Sequence, residues 1–194
     1  ERIRPEGFIV TVALAPKTYP DQPGLLYEGH DYPGMGAVAD LVLLMTYEWG
    51  YTYGPPMPVA PINSVRAVLD YAVTRIPPEK IFMGMPNYGY DWTLPYVEGE
   101  SKAQSLSNVQ AVNLARENNA VIHFDEEAAT PYFHYSKDGN EHVVYFENAR
   151  SVEAKALLIP EYNFYGMSYW NIMNYFPQNW LVLNSLFDIE KFYP

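Results

Sequence analysis

Four short, continuous apolar segments constrain the fold of this chain most strongly. They occupy residues 8–15, 41–47, 81–85 and Gly166–Trp170. Apolar runs of this length, without the alternation of a half-exposed strand, indicate strands that are covered on both faces, as in a parallel sheet. The sequence therefore predicts four buried parallel strands.

Helical patterns lie between these segments. Residues 62–76 place apolar side chains on one face, and Pro77 and Pro78 end the pattern. A second helix is predicted over residues 151–162, where Pro160 should end or kink it. A third is predicted near residues 181–187. The alternation of strands and helices predicts an α/β fold.

One stretch, residues 96–148, breaks this alternation and lies between the third and fourth predicted strands. Ser107 is suited to cap a helix, and the residues around position 138 are typical of a tight turn. We therefore predict a small α+β insertion with a helix over residues 107–118, a strand over 121–124 and a hairpin of 132–135 with 142–146.

Charge narrows the range of partners. The chain has 12 basic and 23 acidic side chains, and its net charge is −11. Nucleic acid and anionic membranes would be repelled, and the apolar runs are shorter than the roughly 18 residues of a membrane-spanning helix. We therefore predict neither partner. An uncharged polymer such as a glycan remains compatible, although the high aromatic content also suits ordinary core packing.

Cysteine is absent, which excludes disulfides and thiolate metal sites. The four histidines lack metal-ligand spacing. The sequence therefore predicts no metal and no other cofactor.

Polar and aromatic side chains follow the predicted strands. In a (β/α)₈ barrel the working residues lie at the carboxyl ends of the strands. Each candidate also has a structural explanation, because asparagine and aspartate suit turns, tryptophan suits cores and glutamate can pair with arginine. Lys17 follows a proline at a strand end, and the sequence is compatible with either a solvated or a substrate-binding side chain at this position. The candidate substrate-binding residues are Tyr47, Glu48, Asn87, Tyr88, Tyr90, Asp91, Trp92 and Trp170.

Three motifs in order resemble family 18 glycoside hydrolases. Residues 45–48 (Met-Thr-Tyr-Glu) resemble the Met-x-Tyr-Asp motif of the sixth barrel strand. Residues 84–89 (Gly-Met-Pro-Asn-Tyr-Gly) resemble the Gly-x-Pro-x-Tyr-Gly motif of the seventh, and Gly166–Trp170 resembles the eighth, which ends in tryptophan. Further stretches, including residues 13–17 and 176–180, resemble the spore-germination branch of cortex-lytic N-acetylglucosaminidases.

The resemblance implies a fold. Residues 1–194 would form the C-terminal half of a TIM (β/α)₈ barrel, strands five to eight. The α+β insertion at residues 96–148 would lie between strands seven and eight.

The resemblance also implies an activity on N-acetylglucosamine-containing glycan, either cortex peptidoglycan or a chitin-like polymer. Family 18 enzymes use substrate-assisted, retaining hydrolysis. Tyr47 would hold the N-acetyl oxygen of the sugar, and Trp170 would form an apolar floor. Glu48 stands where the family usually has aspartate. The remaining candidates, Asn87, Tyr88, Tyr90, Asp91 and Trp92, would line the groove.

The acidic fourth-strand motif of the family, Asp-x-x-Asp-x-Asp-x-Glu, is absent from the sequence. Residues 125–127 are the nearest pattern, but their spacing is wrong. We therefore expect the general acid upstream of Glu1 and predict that this chain alone is inactive. Exposed strand edges should make it self-associate or require its missing half. The alternative is a non-catalytic, lectin-like module. The expected location is extracellular, at the cell wall or spore envelope.

Overall fold

The structure, a computed structural model, describes residues 4–189. These residues form two compact units. The parallel unit contains residues 4–47, 63–85 and 158–169. The antiparallel unit contains residues 48–62, 86–157 and 170–189.

Strands and helices follow one another in a mixed order. In chain order they are β1 (Thr11–Leu14), α1 (Tyr32–Val38), β2 (Leu41–Leu44), α2 (Ile62–Ala72), β3 (Ile81–Pro86), β4 (Gly89–Leu94), β5 (Gln104–Leu106), α3 (Asn108–Glu117), β6 (His123–Asp125), β7 (Thr130–Lys137), β8 (Asn140–Tyr145), α4 (Ala149–Ala156), α5 (Leu158–Tyr162), β9 (Gly166–Trp170) and α6 (Pro177–Leu186). None of the described helices is long and apolar enough to cross a membrane.

The four predicted strands form one sheet in the order β1-β2-β3-β9. β2 pairs with β1 and with β3 in parallel register, which aligns the buried side chains of Leu14, Leu44 and Met83. This sheet, with helices between its strands, confirms the α/β class. The predicted run of residues 41–47 ends at Leu44, because the Thr46 N–H turns back to the Leu44 carbonyl.

The antiparallel unit contains a five-stranded sheet in the order β5-β4-β8-β7-β6. β7 and β8 are joined by Asp138 and Gly139, whose φ angles are 52° and 80°. Two positive φ values in a two-residue loop match the twist of a tight hairpin. The predicted hairpin is therefore confirmed, with longer strands than expected.

The sheet extends further toward the N-terminus than the predicted range of residues 96–148. β4 lies between β5 and β8, so it is central to the sheet although it precedes that range. A Cβ atom at Gly89 would lie 2.3 Å from the Tyr145 carbonyl oxygen. Glycine here permits close strand approach rather than marking a loop.

Helix α3 covers one face of this sheet. Ser107 caps it in a reciprocal capping box with Gln110, which confirms the predicted start. The small residues Ala111 and Ala115 pack with Phe133 and Val144 in a buried cluster. The core of this unit therefore lies between α3 and the sheet.

The predicted helix over residues 151–162 is two helices, α4 and α5, which separate at Leu157. Pro160 lies in the first turn of α5, where its missing N–H has no helical partner to lose. The predicted interruption is confirmed, because the helix divides one turn before Pro160, which cannot bond to the Ala156 carbonyl and whose ring would clash with it in a continuous helix. Helix α1 was not predicted, because Pro33, Gly34 and Gly36 are poor helix formers.

A buried ion pair fixes α4. The Lys155 ammonium lies 2.9 Å from a Glu147 carboxylate oxygen, and both side chains are almost completely buried. Burial raises the pKa of Glu147, and the neighbouring ammonium opposes that rise. The attraction between the two charges therefore offsets the cost of removing each of them from water.

Candidate functional site

A cavity of about 180 Å³ opens in the antiparallel unit. We call it the Glu48 cavity. Its walls carry a carboxylate, hydroxyls, side-chain amides and an indole, contributed by Glu48, Tyr88, Tyr90, Ser105, Trp170, Asn171 and Asn174.

Glu48 is held at the cavity in an unusual backbone conformation. Its φ is 68°, in the left-handed region that non-glycine residues rarely occupy. The flanking loop is fixed by backbone hydrogen bonds from Trp49 to Val59 and from Gly50 to Pro58. This positive φ at a non-glycine residue carries strain of about 1–3 kcal/mol, of the kind that concentrates at functional sites.

Two tyrosines converge on this carboxylate. The Tyr88 hydroxyl donates to Glu48 Oε1 at 2.5 Å, and the Tyr90 hydroxyl donates to the same oxygen at 3.0 Å. Their rings pack edge to face with centroids 5.7 Å apart. Burial, followed by the negative charge of Glu48, raises the pKa of Tyr90 to about 12. Tyr90 is therefore a neutral hydrogen-bond donor at physiological pH.

Trp170 presents an exposed indole at the same cavity, with 59% of the residue accessible. Asn87 fixes the chain around it. The Asn87 N–H donates to the Trp170 carbonyl at 3.0 Å, and its side-chain amide donates to the Asn174 carbonyl at 2.5 Å. The Asn174 amide returns a bond to the Asn87 carbonyl at 3.2 Å. Asn87 thus positions the Trp170 segment rather than offering a free amide to a ligand.

Asn108 extends this network into the core. Its amide donates to Asn87 Oδ1 at 3.2 Å, and its own oxygen accepts from the Glu147 N–H at 2.9 Å. The segment that contains Trp170, the last residue of β9, is therefore connected to the buried end of α3. Such support from a rigid element keeps a binding side chain in place.

The Glu48 cavity combines directional polar groups with a flat apolar ring. This combination suits a sugar, whose hydroxyls hydrogen-bond and whose ring face packs on an indole. No cluster of three or more His, Asp or Glu side chains within residues 4–189 could hold a metal ion.

Tyr47 belongs to the parallel unit and is half-buried there. A Cβ atom at Gly84 would lie 2.7 Å from Tyr47 Cε1 and 2.5 Å from the Leu44 carbonyl oxygen. The neighbouring Thr46 hydroxyl donates to the Gly84 carbonyl at 2.8 Å. Gly84 therefore provides the space in which the Tyr47 ring rests.

The predicted site residues fall into separate groups. The structure brings Glu48, Tyr88, Tyr90 and Trp170 together around one cavity, and Asn87 lies behind it. Sequence reasoning missed three lining residues, Ser105, Asn171 and Asn174. Asn171 and Asn174 follow a strand end, which is a usable signal, whereas nothing near Ser105 in the sequence indicates a site.

Two predictions of groove contacts need correction. Trp92 is 1% exposed, and its indole N–H donates to the Gly54 carbonyl at 2.9 Å, so it belongs to the core. Asp91 is neither a turn residue nor part of the Glu48 cavity. It lies within β4, and successive strand residues point to opposite faces, so Asp91 faces away from Tyr90. Lys17, for which the sequence favours neither a solvated nor a substrate-binding position, is buried and donates to the His30 carbonyl.

Comparisons with known proteins agree on one family. The sequence model described as "Glycosyl hydrolases family 18" matches residues 2–174. The cortical fragment-lytic enzyme of Bacillus subtilis (strain 168) is 50% identical over 187 residues, which cover 96% of this chain and 43% of that protein.

Solved structures of similar enzymes have the same fold as this chain. The spore cortex-lytic enzyme SleL of Bacillus cereus is 45% identical with a TM-score of 0.93, covering 97% of this chain and 44% of that one. A chitinase from Chromobacterium violaceum is 30% identical with a TM-score of 0.87, covering 94% of this chain and 56% of that one. The chain spans less than half the length of the two cortex-lytic relatives.

Proposed function

The chain belongs to family 18 of the glycosyl hydrolases, and from that membership we propose that it forms the sugar-contacting part of an enzyme that cleaves N-acetylglucosamine-containing glycan. The observation that carries the proposal is the convergence of Tyr88 and Tyr90 on Glu48 beside the exposed Trp170 indole. The names of the relatives favour spore cortex peptidoglycan or a chitin-like polymer as substrate.

The mechanism proposed is substrate-assisted and retaining, in which the sugar's N-acetyl oxygen attacks its own anomeric carbon. Tyr47 would hold that oxygen, a role that rests on its place in the Met-Thr-Tyr-Glu motif. Trp170 would support the apolar face of the sugar, and Glu48 with its two tyrosines would bind polar substituents.

We propose that the proton donor lies outside these 194 residues, because the sequence has no Asp-x-x-Asp-x-Asp-x-Glu motif. Loss of a general acid slows hydrolysis by about two to four orders of magnitude. The chain alone should therefore bind the oligosaccharide without turning it over. Turnover by a contaminant-free preparation would contradict this part of the proposal.

The fold proposal follows from strand order. We propose that β1, β2, β3 and β9 are strands five to eight of a (β/α)₈ barrel, with the antiparallel segment inserted in the sequence between β3 and β9. β1 and β9 are the edges of the described sheet. Unpaired edges recruit other strands, so the isolated chain should self-associate or pair with its missing half. Light scattering tests this, and a stable monomer would contradict it.

The activity also suggests a location. An enzyme that acts on wall glycan works outside the cell membrane, at the cell wall or spore envelope. Detection of the protein in the spore coat or cortex fraction would support this, and confinement to the cytosol would contradict it.

A glycan-binding module without catalysis is a second candidate, favoured by the same absent acidic motif. The enzyme and the glycan-binding module differ in whether the rest of the protein contains the acidic motif. If a protein containing these residues has the acidic motif and hydrolyses chitin oligosaccharides, the enzyme proposal holds. Binding without turnover by that whole protein would favour the module.

The decisive experiment is titration with the N-acetylglucosamine tetramer, followed by intrinsic fluorescence. Replacing Trp170 by alanine should weaken binding about tenfold, because an exposed aromatic platform is lost. Trp180→Ala is the matched control, since Trp180 lies on α6 and does not line the cavity. Equal binding by both variants, or no binding by the unaltered chain, would contradict the proposed function.

A further inference from the structure

A second and larger cavity lies on the opposite face of β4. Its volume is about 410 Å³, and it opens between α3 and the antiparallel sheet. We call it the α3 cavity. Ser105 also lines the Glu48 cavity. The α3 cavity is lined by Asp91, Gln104, Ser105, Leu106, Gln110, Asn113, Leu114, Glu117, Tyr135, Lys137 and His142.

A buried polar network forms the floor of this cavity. Asp91 is 8% exposed and accepts from the Tyr135 hydroxyl at 2.6 Å through Oδ2. His142 Nδ1 lies 3.0 Å from the other carboxylate oxygen, and the His142 and Tyr135 rings stack with centroids 4.6 Å apart. Burial and the adjacent carboxylate raise the pKa of Tyr135. The floor is therefore fixed, and both oxygens of its carboxylate are already occupied.

The upper walls differ from the floor. Gln104, Asn113, Glu117 and Lys137 all line the cavity, and their side chains make no hydrogen bond or ion pair with any residue in the range 4–189. Asn113 is half-buried despite this, and the other three are exposed. The α3 cavity therefore combines a fixed floor with two amides, one carboxylate and one ammonium that make no hydrogen bond or ion pair within residues 4–189.

The chemistry of these groups selects among ligands. A neutral sugar would use neither the carboxylate of Glu117 nor the ammonium of Lys137, and an ion of one sign would match only one of them. A zwitterionic peptide places its ammonium near a carboxylate and its carboxylate near an ammonium. Amide side chains such as Gln104 and Asn113 then suit the peptide group.

We propose that the α3 cavity binds a short peptide that carries both an ammonium and a carboxylate. This inference does not rest on the proposed function, because it depends only on the groups that line the α3 cavity.

The test uses the whole chain and backbone amide NMR, with alanyl-alanine as the zwitterionic probe. Alanyl-alanine should shift the backbone amide resonances of residues around Asn113 and Lys137. The N-acetylated, C-amidated dipeptide should bind about tenfold more weakly. Lys137→Gln and Glu117→Gln should each weaken binding about two- to fivefold. Both side chains are exposed, so neither substitution threatens the fold. Lys102→Gln is the matched control, because Lys102 is exposed and does not line the cavity.

Three results would overturn the proposal. They are equal binding of the blocked dipeptide, equal weakening by the Lys102 control, and shifts at the same amides with the N-acetylglucosamine tetramer alone. Failure of the tetramer to bind near Trp170 would refute the proposed function instead, and it would leave the dipeptide result intact.

Discussion

The two faces of β4 carry similar tyrosine–carboxylate contacts that differ in solvent exposure. On one face Tyr90 donates to Glu48, an exposed carboxylate on a loop with a positive φ. On the other face Tyr135 donates to Asp91, a carboxylate that is buried within the sheet. Both pairs are tyrosine–carboxylate contacts, but only the first leaves its acid accessible. The difference shows that exposure, rather than residue type, decides which pair can meet a ligand directly and which one holds the structure.

The largest expected effect separates the two acids. Asp91→Ala leaves a buried tyrosine hydroxyl and a histidine nitrogen without their acceptor and should lower the free energy of unfolding by about 2–4 kcal/mol. Glu48→Ala is the matched change on the other face and should cost less than about 1 kcal/mol, because water replaces an exposed carboxylate. Urea denaturation measures both. Similar losses would show that the faces do not differ as described.

A smaller effect is expected at the support of the Trp170 segment. Asn87→Ala removes the side-chain bonds to the Asn174 carbonyl and to Asn108 and should lower stability by about 1–3 kcal/mol. It should also weaken binding of the N-acetylglucosamine tetramer, although Asn87 does not line the cavity. Fluorescence titration checks the affinity. A destabilised variant with unchanged affinity would mean that the indole is positioned by other contacts.

Backbone strain at Glu48 gives the next effect. Glu48→Gly and Glu48→Ala lose the same two tyrosine bonds, but glycine adopts a φ of 68° without steric cost. The glycine variant should therefore be more stable than the alanine variant by about 1 kcal/mol. Denaturation of the pair isolates this term. Equal stabilities would indicate that the loop relaxes once the carboxylate is absent.

The smallest effect on stability at physiological pH is expected from the raised pKa values of Tyr90 and Tyr135. Burial raises the pKa of Tyr90 from 10.0 to about 12 and raises that of Tyr135 as well. A raised pKa in the folded state contributes stability that is complete below pH 10.0 and is lost as the pH rises through the folded pKa. Stability measured across this range should fall, and Tyr90→Phe and Tyr135→Phe should each flatten the decline. An unchanged slope in either variant would assign the decline to other groups.

The sequence predicted the existence of the parallel strands better than their burial. Gly166–Trp170 was predicted with the bounds that the structure has, although its residues are half-buried or exposed rather than covered on both faces, and Ser107 marked the start of α3. β4 was missed because Asn87, Gly89 and Asp91 are common in turns, and this composition outweighed a clear alternation with Tyr88, Tyr90 and Trp92. Period-two alternation was the stronger signal here.

The candidate site was only partly predictable. Family motifs indicated Glu48, Tyr88 and Trp170, which do line one cavity. Nothing local in the sequence shows that two hydroxyls converge on one Glu48 oxygen, because their partners are separated by 40 and 42 positions. The burial of Trp92 could not be predicted either, since it depends on the Gly54 carbonyl from a distant loop.

The placement of two cavities on one strand has a consequence for how this protein can change over evolution. Substitutions on β4 can alter one cavity and leave the other alone, because alternate residues serve different faces. A deletion or insertion of a single residue within Gly89–Leu94 would exchange the two sets of side chains. Length variation should therefore be confined to the loops around this strand, while its composition remains free to diverge.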